Sequence, residues 1–147
     1  MINVYKKYLI KKFLKKIFNV SIVFLFLIVI LNIFEEISFF EKSEVNFMTP
    51  FLLTFLNSSS ILFEIFPFIF LISSLLFFLN LINDNELEVF KVNGLSNLKI
   101  IKILFFTSMA LGLFLIIFFY SFSSKLKFIY LDIKNNHTTD GKYLAMI

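Results

Sequence analysis

The sequence has no cysteine, one histidine, three glycines and two prolines. Without cysteine there is no disulfide frame, no thiolate metal site and no cysteine nucleophile, and the redox compartment is not readable. His137 has no spaced partner and lies in a turn cluster, so it reads as a solvated loop residue and not a metal ligand. There is no glycine-rich loop ending in Lys-Ser or Lys-Thr, so that route to ATP is excluded. The serines lack the base and orienting acid that nucleophilic catalysis needs. No catalytic constellation and no cofactor site emerge, and the chain is not read as an enzyme. Arginine is also missing, because all 14 basic residues are lysine. Together with 24 phenylalanines this marks a compositional bias. The formal charge of +4 carries no nucleic-acid signal, because six of the lysines crowd ahead of the first apolar run.

What is present is apolar and comes in runs. Of the 147 residues 59% are hydrophobic, and the mean hydropathy is +0.91. A soluble domain has about 45–50% and spreads it out. The pattern predicts an all-α membrane protein with three spans, residues 17–34, 61–81 and 98–122. Residues 1–16 read as a basic amphipathic helix at the interface, with Lys7, Lys11, Lys12, Lys15 and Lys16 on one side and Leu9, Ile10, Phe13 and Leu14 on the other. The first span has no small-residue cleavage site after it, since Glu35 and Glu36 come next, so it reads as uncleaved. The connector, residues 35–60, is acidic, with Glu35, Glu36, Glu41 and Glu44 against Lys42 alone. Its apolar middle, Met48 to Leu56, reads as a short interfacial helix starting near Pro50, and Ser58 to Ser60 as caps for the next helix.

Glu64 lies about one turn into the second predicted span, and Pro67 kinks or loosens its start. An ionisable group inside a span is a functional candidate because charge there is expensive. The competing reading has Glu64 reaching the headgroups from a shallow position. An intramembrane enzyme on Glu64 is weak, since no second acid, histidine or metal set accompanies it. Ser73 and Ser74, and Met109, Ala110 and Gly112, suit close helix packing.

Between the second and third spans lies the polar stretch Asn83 to Asn97, NDNELEVFKVNGLSN. Asn83 or Asp84 supplies an N-cap, Glu86 and Glu88 favour the first turn, and Gly94 offers a left-handed stop. Ser96 caps the next helix. The spacing predicts a helix over 85–93, with Leu87 and Phe90 on one face. Lysine asymmetry places the start and this stretch in the cytoplasm and the acidic connector outside. Lys125, Lys127, Lys134 and Lys142 in the outside tail mildly oppose that assignment. In the tail, Leu126, Ile129, Tyr130 and Ile133 extend the third helix, and Asn135 to Gly141 is a turn cluster. Asn136-His137-Thr138 fits the glycosylation sequon, a frequent chance match. Tyr143 to Ile147 opens a β-strand.

The order of these features resembles the lipopolysaccharide-export permease family of the LptF/LptG type. The residues that carry it are Asn85-Glu86-Leu87 and Lys91-Val92-Asn93-Gly94-Leu95-Ser96 between two spans, with Glu64 and Pro67 near the outer end of the span before them. The resemblance covers nearly the whole chain, against the first third or so of such a permease. It implies that residues 1–122 are a transmembrane domain and 123–147 the truncated start of a periplasmic β-jellyroll, with three more spans beyond. It implies a bacterial inner-membrane subunit with a cytoplasmic N-terminus that couples a cytoplasmic ABC-type ATPase to lipopolysaccharide extraction. ATP hydrolysis would belong to the partner. A paralogous permease subunit and a periplasmic lipid-transfer protein would complete the set. Glu86, Leu87, Phe90 and Gly94 would form the ATPase contact. Basic residues near the outer end of the first span, frequent in the family, are replaced here by Asn32, Glu35 and Glu36, so no lipid-phosphate contact is carried over. The alternative is a non-transporting membrane scaffold or assembly subunit.

Overall fold

The computed structural model describes residues 2–40 and 48–136. Glu41, Lys42 and Glu44, His137 with the end of the sequon, and the expected strand Tyr143 to Ile147 lie outside the described residues. The elements are α1 (Ile2–Phe40), α2 (Met48–Glu64), α3 (Phe66–Asn83), α4 (Glu86–Val92), α5 (Asn97–Phe114), a π-helical segment (Leu115–Phe119) and α6 (Tyr120–Asn136). No strand occurs among the described residues. Three stretches are long and apolar enough to cross a membrane: Val4–Phe40, Phe66–Asn83 and Asn97–Asn136. Their large apolar side chains mostly face outward, with Leu31 71% exposed and Phe106 67% exposed. Faces this apolar require a non-aqueous surrounding.

The helices differ from expectation at their joints. The basic start and the first span form one helix of 39 residues. Nothing between Lys16 and Ile17 breaks the backbone ladder, and Leu9, Phe13 and Ile17, four apart, are all buried and continue one stripe across the junction. The connector's apolar middle and the head of the second predicted span also form one helix, α2. Its hydroxyls do not cap. Thr54 Oγ1 donates to the Pro50 carbonyl at 2.8 Å and Ser58 Oγ to the Thr54 carbonyl at 2.6 Å, so both bond back one turn within the helix. The break comes later, at Ile65. Pro67 has no N–H to offer the carbonyl of Phe63, four residues back, which ends α2 and starts α3. The third helix continues through the π-helical segment to Asn136.

The chain divides into two compact units, Met1–Ile22 with Phe66–Ile116, and Val23–Ile65 with Ile117–Ile147. In the first unit Leu9, Phe13, Ile17, Phe77, Leu81, Phe90, Leu95, Ile100 and Leu104 form the core. Phe13 meets Phe77 edge-on at 5.2 Å and Phe70 at 5.9 Å between ring centroids. Ser73 is fully buried and returns its proton to the Ile69 carbonyl at 2.7 Å, leaving a small surface for packing.

In the second unit α2 packs along α6. Thr54, Ser58 and Ser60 on α2 and Ser123 on α6 are buried small residues that permit this approach. Phe40, Leu53 and Tyr130 form the apolar cluster. Beside it Glu36 Oε1 accepts from Tyr130 Oη at 2.7 Å and from Lys134 Nζ at 3.0 Å. Lys134 Nζ also donates to Tyr130 Oη at 2.7 Å and lies 4.4 Å over the Phe39 ring. Asn57 Nδ2 donates to Asn32 Oδ1 at 3.2 Å.

Candidate functional site: the short helix and the basic start

α4 follows α3 after only two turn residues, Asp84 and Asn85. Asn85 takes a left-handed conformation with φ 56° and makes no side-chain cap bond, so neither Asn83 nor Asp84 caps the helix as expected. Asparagine tolerates that conformation better than most residues. The far end is a Schellman stop. Gly94 has φ 80°, its N–H bonds the Lys91 carbonyl at 3.0 Å, and the N–H of Leu95 bonds the Phe90 carbonyl at 2.9 Å. Leu95 and Phe90 are both buried in the first unit's core, the apolar contact that accompanies this motif. Ser96 stands at the start of α5 but its side chain makes no cap bond.

Two ends of α4 are therefore tied to α1. Phe90 is 4% exposed, meets Tyr5 edge-on at 5.8 Å and lies 6.3 Å from Tyr8. Leu87 is half-buried against the same core. At the other end Glu86 Oε1 accepts from Lys12 Nζ at 2.6 Å and from Tyr8 Oη at 2.8 Å. Lys12 Nζ also donates to Asp84 Oδ2 at 3.2 Å. Lys12 thus lies apart from the solvent-facing basic row in which the sequence placed it. Glu86 Oε2 is enclosed and has no hydrogen-bond partner among the described residues. A carboxylate accepts at both oxygens, so half of its capacity is unspent.

The outward face of α4 is different from the one expected. Val89 is 55% exposed and Val92 88% exposed, while Leu87 and Phe90 turn inward. Of the four expected contact residues, Glu86 stands at the partly exposed edge, Leu87 and Phe90 anchor the helix, and Gly94 ends it. Lys12 and Tyr8 join the site and were not foreseen. Their signal is faint in the sequence: Tyr8 and Lys12 are four apart and flank the buried Leu9–Phe13 stripe.

Glu64 and Pro67 are not brought into this site. Glu64 is exposed, lies outside the three apolar spans, accepts from Ser60 Oγ at 3.4 Å and pairs with Lys127 Nζ at 3.0 Å. Pro67 is the second residue of α3. Among the described residues no cluster of histidine, cysteine or acid has the form of a metal site. A separate apolar cavity of about 710 Å³ opens in the first unit, lined by Leu14, Ile17 and Phe18 of α1 and by Phe106, Leu111 and Phe114 of α5.

The family model for the lipopolysaccharide export system permease LptF/LptG matches residues 7–145. No curated protein and no solved structure matches the chain.

Proposed function

Because the chain belongs to the lipopolysaccharide export permease family LptF/LptG, a family of membrane transport subunits, we propose that α4 is the coupling helix that docks on a cytoplasmic ABC-type ATPase. Motion of that ATPase then drives lipopolysaccharide out of the inner membrane, with a paralogous permease and a periplasmic lipid-transfer protein completing the path. The observation that carries this reading is Glu86. One oxygen is held by Lys12 and Tyr8, which fixes the side chain, and the other has no partner among the described residues. A cation on the ATPase would approach the part of this side chain that stays accessible, 23% of its surface. Val89 and Val92 supply the apolar edge for a groove, as amphipathic docking helices do. Leu87, Phe90 and Gly94 hold the helix in place. The apolar cavity between α1 and α5 suits alkyl chains. The expected jellyroll and further spans belong to this reading.

Glu86→Ala removes both the internal and the external bond, whereas Lys12→Met removes only an internal one. Truncating one partner of a desolvated interfacial charge pair costs about 2–5 kcal/mol. Co-purification with the ATPase should therefore fall strongly in Glu86→Ala and hold in Lys12→Met and in Glu88→Ala. Equal losses in Glu86→Ala and Lys12→Met would mean that Glu86 only clamps α4, and the docking contact would fail.

A further inference from the structure

A second cavity of about 470 Å³ lies in the first unit beside the coupling helix. Lys6 of α1 and Lys99 and Lys102 of α5 stand around it, with Tyr5 and Asn93, and its apolar part is Leu95, Ile103 and Phe106. No carboxylate lines it. None of the three lysines forms an ion pair among the described residues, and the one polar contact is from Lys99 Nζ to the Gly94 carbonyl at 3.4 Å.

The placement of the lysines is electrostatically unfavourable on its own. Lys99 and Lys102 occupy the first two turns of α5, where the helix dipole is positive and favours anions. The first turn of α5 holds no acid, and Ser96 gives no side-chain cap. Three exposed lysines thus line one hollow beside the start of α5, and no carboxylate is among its lining residues. An anion there relieves all of them together. The remaining lining selects the kind of anion. Leu95, Ile103 and Phe106 offer an apolar floor that a free ion would leave unfilled and that a glycerol backbone with the first acyl carbons would cover. Basic pockets between membrane helices hold anionic headgroups by this combination.

We infer that this pocket binds the phosphodiester of an anionic glycerophospholipid as a resident lipid, distinct from the lipid that is transported. The site needs the chain to be membrane-embedded but rests on neither the ATPase contact nor the direction of insertion. By fixing α5 at its start, next to the Gly94 stop, the lipid would brace the end of α4.

The full chain is reconstituted in phosphatidylcholine nanodiscs doped with phosphatidylglycerol, and retained lipid is counted by native mass spectrometry. One phosphatidylglycerol should stay bound through washing with neutral lipid. The Lys6→Gln, Lys99→Gln, Lys102→Gln variant should retain it about tenfold less. A control variant, Lys7→Gln, Lys11→Gln, Lys15→Gln, loses the same charge from the exposed face of α1 and should retain it as the parent does. Excess inorganic phosphate should not displace it. Equal loss in both triple variants would show general surface attraction and overturn the site, and displacement by phosphate would show a free-anion site and overturn the lipid. If circular dichroism shows the pocket variant misfolded, Lys6→Gln alone decides, with retention equal to the parent counting against the proposal.

Discussion

Lys134 is 4% exposed and Glu36 is fully buried, and each is tolerable only because of the other. The pair is 3.0 Å apart and Tyr130 bonds both members, so each polar atom at the centre of the cluster has a partner. Breaking such a pair from one side leaves an uncompensated buried charge, at about 3–5 kcal/mol. Lys134→Met should therefore lower the unfolding midpoint in detergent sharply. Glu36→Leu with Tyr130→Phe and Lys134→Met replaces the whole cluster by apolar volume and should recover most of the loss. A Lys134→Met protein as stable as the parent would refute the buried-pair account. None of this was legible in the sequence. Glu36 read as one acid of a solvated connector and Lys134 as a stray tail charge, because the bond closes over 98 residues and leaves no periodic trace. The bond between Lys12 and Glu86 leaves no trace for the same reason, since it closes over 74 residues.

Local cause is legible where the backbone itself is constrained, and not where a side chain was expected to cap, since neither Asn85 nor Ser96 makes a side-chain cap bond. The short helix and its glycine stop lie within a few residues of one another, and both are present as expected. The change of polarity at Lys16 predicts two elements where α1 runs as one helix, because the backbone responds to caps and breakers and meets none there. The two glycines among the described residues separate the reasons for a glycine. At Gly94 φ is +80°, and a Cβ added there would touch nothing within 4 Å, so strain in the left-handed backbone is the sole penalty. That costs about 1–2 kcal/mol. At Gly112 an added Cβ also meets nothing within 4 Å, but the backbone is ordinary helix. There alanine gains about 1 kcal/mol of helix propensity. Gly94→Ala should lower thermal stability and Gly112→Ala should leave it unchanged or raise it. The same sign for both would mean that the Schellman stop does not hold the end of α4.

At the scale of the molecule, the three apolar stretches and the family membership make this a multi-pass membrane protein, and its direction in the membrane is the remaining determinant of what α4 meets. The lysine count favours a cytoplasmic start, with six lysines ahead of the first apolar run against one, Lys42, in the connector after it. The tail lysines weigh the other way, but the first segment usually dominates. The expected arrangement therefore has the start and α4 on the cytoplasmic side and the acidic connector outside. The absence of native cysteine makes the test clean, because each introduced thiol is the sole one. Ser43→Cys lies in the connector and Asn93→Cys at the exposed end of α4. In intact cells a membrane-impermeant maleimide should label Ser43→Cys and spare Asn93→Cys, and permeabilisation should make both reactive. Labelling of Asn93→Cys alone in intact cells would invert the topology. It would also place Glu86 and the exposed Val89 and Val92 on the side where no ATP-driven partner could reach them.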